Sequence, residues 1–166
     1  MTWLPGPYGK ITVDGELATV TFVRRLPHPI AEVWAAITDP AHRAVWFGAT
    51  ALEPRAGGQI DMDPEDPPAP LEMKHMSGRI LVWDPPHVFE HEWRQAIVEA
   101  GVVRYELAED GAGTRLTFTH RGLGVKNAHG FAPGTHAFMD RLAAHLAGQP
   151  LPAWMARFAE VQDGYR

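Results

Sequence analysis

Residues 29–47 read PIAEVWAAITDPAHRAVWF. Ile30, Val33, Trp34 and Ile37 fall at i, i+3, i+4 and i+7, which lays one apolar stripe along a short helix. Pro29 suits the first helical turn, where a missing N–H has no consequence. Pro40 disfavours helical geometry at Asp39, so the first helix is predicted to end near Thr38. Asp39 is then placed to cap a second helix that starts at Pro40. The stretch predicts a V-shaped helix pair that closes on the aromatic step Trp46-Phe47.

Working outward, residues 10–13 and 17–26 have strand character and flank Asp14-Gly15-Glu16, which predicts a hairpin. Residues 1–9 are rich in Pro and Gly and are expected to form an arm without regular structure. After the helix pair, residues 51–63 read as two short strands around Gly57-Gly58. Residues 62–70, MDPEDPPAP, hold four prolines and three acids, so a solvated loop is expected there. Strands follow near residues 71–83, 88–95, 102–108 and 114–120, with turns at residues 84–86 and 110–113, giving an antiparallel meander. Beyond a glycine-rich link at residues 121–130, Thr135, Phe138, Met139, Leu142 and Leu146 mark the longest helix. It is expected to open at Pro133 and stop at Gly148 and Pro150. Leu151, Trp154, Met155, Phe158 and Val161 predict a further short helix. The whole of residues 1–166 reads as one α+β domain.

Several of these features occur in a recognisable order. They are Arg24 at the end of a strand, Pro29 with Val33-Trp34, Thr38-Asp39-Pro40, Trp46, and Gly57-Gly58. Asp84-Pro85-Pro86, an aromatic strand ending at Trp93, and residues 142–148 continue the series. Over residues 17–148 the chain resembles the activator-of-Hsp90-ATPase-like branch of the START/Bet v1-like (SRPBCC) superfamily. That resemblance implies a helix-grip fold, a curved antiparallel sheet wrapped around a long C-terminal helix, with residues 151–166 as an extra helix. It also implies a cavity between sheet and helix.

Composition narrows the functions. Fifteen Lys plus Arg stand against 20 Asp plus Glu, a net charge of −5 without a basic run, which argues against nucleic-acid binding. No stretch of about 18 apolar residues is present and the start is not signal-like, so a cytoplasmic protein without membrane insertion is expected. The chain has no cysteine, which excludes thiolate nucleophiles and Cys-ligated zinc. Its single serine, Ser77, lacks the G-x-S-x-G context. His91-Glu92 opens like H-E-x-x-H, but Gln95 stands where the second histidine belongs. No metal, no cofactor and no catalytic residue is assigned.

Alternation along the strands places Phe89, His91, Trp93, then Val103, Tyr105, Leu107, then Leu116, Phe118, His120 on the inner face. Phe138, Met139 and Leu142 of the long helix face them, while Trp46 and Phe47 stand near the expected mouth. The ligand-binding candidates are therefore Trp46, Phe47, Phe89, His91, Trp93, Tyr105, Phe118, His120, Phe138, Met139 and Leu142. The expected function is binding of a small hydrophobic or amphipathic molecule. One alternative is an enzyme resembling the superfamily's polyketide cyclases and dehydratases, with His91 or His120 as base. Another is activation of an Hsp90-type chaperone, against which stands the lack of room before residue 10 for the N-terminal domain of the eukaryotic activators. Trp154 and Phe158, read as exposed, suggest a homodimer contact.

Overall fold

The computed structural model describes residues 6–166. Eight strands form one antiparallel sheet in the order β1-β2-β8-β7-β6-β5-β4-β3. The hairpin β1 (Lys10–Asp14) and β2 (Leu17–Leu26) turns at Gly15, whose φ of 64° suits glycine. Next come α1 (Ile30–Thr38) and α2 (Pro40–Trp46), then β3 (Gly48–Leu52) and β4 (Gln59–Pro64). The meander is β5 (Met76–Asp84), β6 (Val88–Gln95), β7 (Gly101–Asp110) and β8 (Gly113–Gly124), preceded by the short α3 (Leu71–Lys74). The 22-residue α4 (Val125–Leu146) crosses the concave face, and α5 (Trp154–Val161) with a 3₁₀ turn (Gln162–Tyr165) packs on it. This is the helix-grip arrangement expected from the resemblance.

The helix pair forms as read. Asp39 Oδ1 accepts from Ala41 N at 2.9 Å, and Pro40 occupies the first turn. Asp39→Ala is expected to cost about 1 kcal/mol, read as a lowered urea midpoint; no change would mean that the turn holds itself. The stripe of α1 packs on the sheet, with Trp34 against Trp83 at 5.2 Å and Phe89 at 6.5 Å.

Several boundaries, and the exposure of one tryptophan, differ from the sequence reading. β4 runs on to Pro64 with Met62 only 1 % exposed, so the solvated loop is shorter than residues 62–70. Pro64 ends the ladder instead of breaking its middle. Residues 71–74 are helical where a strand was expected, and β5 begins at Met76. α4 starts at Val125, not at Pro133, because β8 carries through residues 121–124 and Pro133 lies inside the helix. Trp154 is 7 % exposed, since its Nε1 donates to Gly134 O at 3.1 Å and its ring meets Phe138, so it offers no free dimer surface. Of the expected arm, residues 6–9 lack regular structure and residues 1–5 lie outside the described residues.

Candidate functional site

The concave face is built in rows, because antiparallel register puts paired residues side by side on one face. One row runs Trp83, Phe89, Tyr105, Phe118, Phe22 across β5, β6, β7, β8 and β2. Every neighbouring pair of rings is in contact, from Trp83–Phe89 at 5.5 Å to Phe22–Phe118 at 6.4 Å. The adjacent row is Ile80, His91, Val103, His120, Val20. Trp93 pairs with Gly101, so no side chain separates Trp93 from His120, and their rings lie 5.1 Å apart. Phe131 of α4 meets both, at 6.2 Å and 5.4 Å.

His91 and His120 are 0 % and 2 % exposed, and neither Nε2 has a hydrogen-bond partner. His91 Nδ1 lies 2.9 Å from the Glu92 carbonyl oxygen, a bond that only an Nδ1–H can make. Burial drives the His91 imidazole down to about 4 and, with the neighbouring His91, the His120 imidazole down to about 3. Both rings are neutral at physiological pH. Phe89, His91, Trp93, Tyr105, Phe118 and His120 are thus brought together as expected, and Met139 and Leu142 close the same core from α4.

Trp46, Phe47 and Phe138 stand elsewhere. Trp46 is 1 % exposed and donates from Nε1 to Ala36 O at 2.8 Å. The buried Arg43 guanidinium lies 5.3 Å from the Trp46 ring and 4.8 Å from the Phe47 ring, and Arg43 Nη1 also donates to Ile37 O. Phe47 touches Phe138 at 4.7 Å, and Phe138 touches Trp154 at 5.8 Å. These rings bind α2, α4 and α5 to one another. The placement of Trp46 and Phe47 at a mouth is corrected: the cation–π sandwich on Arg43 turns them inward.

A second buried centre has no counterpart in the sequence reading. Asp140 on α4 is 1 % exposed; its Oδ1 lies 2.8 Å from Arg24 Nη1, and its Oδ2 lies 3.4 Å from Arg157 Nε and 3.5 Å from His136 Nε2. Gly6 N donates to Oδ1 at 3.0 Å. His136 Nδ1 is 2.7 Å from the Tyr165 hydroxyl, which also accepts from Gly9 N at 2.7 Å. Burial lowers His136 to about 4, partly opposed by Asp140, and raises Tyr165 to about 12. The arm, β2, α4 and the C-terminal segment meet here. In the sequence His136 and Asp140 stand at i, i+4 on the flank of the apolar stripe, and that spacing is the one local signal of the pair.

Two open clefts lie outside the sheet interior. One, about 790 Å³, is bordered by Asp63, Leu71, His75, Arg94 and Gln95. Gln95 tethers Trp93, accepting from its Nε1 at 3.0 Å while donating to Met73 O at 2.8 Å, so this cleft adjoins the end of the aromatic face. The other, about 480 Å³, lies between α4 and the C-terminal turn at Pro133, Phe158 and Tyr165. Among the described residues no group of three or more His, Asp or Glu side chains could hold a metal, and no helix is long and apolar enough to cross a membrane.

With this geometry the family can be stated. The profile described as activator of Hsp90 ATPase homologue 1-like protein matches residues 27–147, well over half of the chain. The chain belongs to that family. The crystal structure of CalU16 from Micromonospora echinospora is 25% identical and superposes with a TM-score of 0.75, covering 95% of this chain and 92% of that one. The solution structure of the protein encoded by BPP1335 from Bordetella parapertussis is 28% identical with a TM-score of 0.72, covering 99% and 94%. DynU16, a protein of the dynemicin biosynthetic locus, is 23% identical with a TM-score of 0.69, covering 81% of this chain and 49% of that one, a likeness of fold alone. No curated protein matches.

Proposed function

We propose that the protein binds a small hydrophobic or amphipathic molecule between the concave face of the sheet and α4, without covalent chemistry on the chain. The observation that carries this reading is the margin of the aromatic face. Trp93 and Phe131 are only half-buried; Trp93 lies against the buried His91 and His120 and Phe131 against His120, beside a cleft that reaches Gln95, the tether of Trp93. Sites for small molecules have this character, mostly apolar with a few polar atoms that orient the guest. The enzymatic alternative fits less well. An imidazole held near 4 or 3 is a weak base at neutral pH, far from the matching that general base catalysis favours.

Thermal unfolding with a panel of lipids, aromatic polyols and flavonoids tests the reading. A ligand at about a hundred times its Kd adds about 2.7 kcal/mol, roughly a 5–10 °C rise in Tm for a chain of this size. The same ligand is expected to quench Trp93 emission in wild type and not in Trp93→Phe. A panel that leaves Tm and emission unmoved sinks the reading.

A further inference from the structure

The unpartnered nitrogens of the two inner histidines say what chemistry a guest must bring. Buried polar atoms without partners are uncommon, because each has given up its water without a replacement bond. His91 and His120 present two in one row, on either side of Val103. For His91 the role of the atom is fixed. Nδ1 carries the proton that goes to the Glu92 carbonyl oxygen at 2.9 Å, so in the neutral ring Nε2 holds a bare lone pair. That nitrogen can only accept. The His120 Nε2 has no partner to fix its tautomer, so it can donate or accept.

Charge narrows the guest further. The row itself carries no cation, its other members being Ile80, Val103 and Val20 and both imidazoles neutral; the buried Arg43 guanidinium that acts on His91 is already engaged with Ile37 O, Thr50 and Met62. A carboxylate would set its lone pairs against the Nε2 lone pair of His91 in an environment too dry to screen them. Flat aromatic walls are supplied by Trp93 and Phe131. A planar ring bearing a hydroxyl answers each of these conditions, offering a proton to His91 and, on the same oxygen or another, a lone pair or proton to His120.

We infer that His91 Nε2 is the fixed hydrogen-bond acceptor of the interior site and that the molecule bound there is a neutral aromatic compound with a hydroxyl donor. This rests on the binding reading above and adds the polarity of its recognition.

The test compares three probes of one shape, 2-naphthol, 2-methoxynaphthalene and 2-naphthoate, at pH 7.5, by titration calorimetry on the intact protein. Naphthol is expected to bind at least tenfold more tightly than its methyl ether, with naphthoate weakest. In His91→Leu the naphthol-to-ether ratio is expected to fall to about one while the ether still binds. Imidazole ¹⁵N spectra of the wild type provide a readout that needs no variant: free His91 is expected as the Nδ1–H tautomer, with its Nε2 signal moved by naphthol and not by the ether. Equal affinities of naphthol and ether, a ratio that survives His91→Leu, or an Nε2–H tautomer would each overturn the acceptor assignment and leave hydrophobic binding standing. Failure of all three probes and of the wider panel overturns both.

Discussion

Asp140→Asn is expected to lower the unfolding free energy by about 3–5 kcal/mol, the range found when one partner of a buried ion pair is removed. Its carboxylate stands between Arg24 and Arg157, whose side chains are 5% and 3% exposed. Asparagine keeps the volume and can still accept from Gly6 N, so the loss isolates the charge. Arg24 would keep its bond to Pro7 O at 3.0 Å, and Arg157 its pairing with Glu160, but two buried guanidinium groups would face a neutral amide. Arg24→Met leaves Asp140 still facing Arg157 and is expected to cost less, about 1–3 kcal/mol. The double variant is expected to fall short of the sum, because Arg24 no longer lacks an anion once it is gone. Urea titration at pH 7.5 measures all three. A loss below about 1 kcal/mol for Asp140→Asn would mean that the centre is hydrated and tolerates its charges.

That centre also marks where the sequence stops being legible. The helix pair, the strand alternation and the family core follow from local spacing, because a stripe at 3.6 residues or an alternation at 2 is a property of the chain itself. The six candidates on β6, β7 and β8 lie on the inner face for the same reason. Trp46 and Phe47 are read less well, since their orientation depends on Arg43, which reaches Ile37 O and Thr50 from the other side of the helix pair. Arg24 and Asp140 are 116 positions apart, and Gly9 and Tyr165 are 156 apart. No periodicity links such pairs. Pro133 misleads in the opposite direction, since a strong local start signal is overruled by packing in a helix of 22 residues.

Stability is expected to collapse between pH 6.5 and 4, and three histidines set that window. In the unfolded chain each titrates near 6.5. In the fold His91 and His136 are lowered to about 4 and His120 to about 3, in each case chiefly by burial. Below pH 6.5 the unfolded state therefore binds protons that the native state refuses, so falling pH favours unfolding, and the contribution is complete once pH has passed the folded values. Near pH 5 almost three protons separate the two states, a slope of about 4 kcal/mol per pH unit, and at pH 4 each site accounts for up to about 3 kcal/mol. Together the three sites approach the total stability of a domain, about 5–15 kcal/mol. The carboxylates of Glu53, Glu92 and Glu99, held low by local hydrogen bonds, act with the same sign. Urea midpoints measured from pH 7.5 down to 4.5 are expected to fall steeply, and His120→Phe is expected to remove about one proton from the slope. A flat profile would mean that the imidazoles charge inside the fold near their ordinary value of about 6.5.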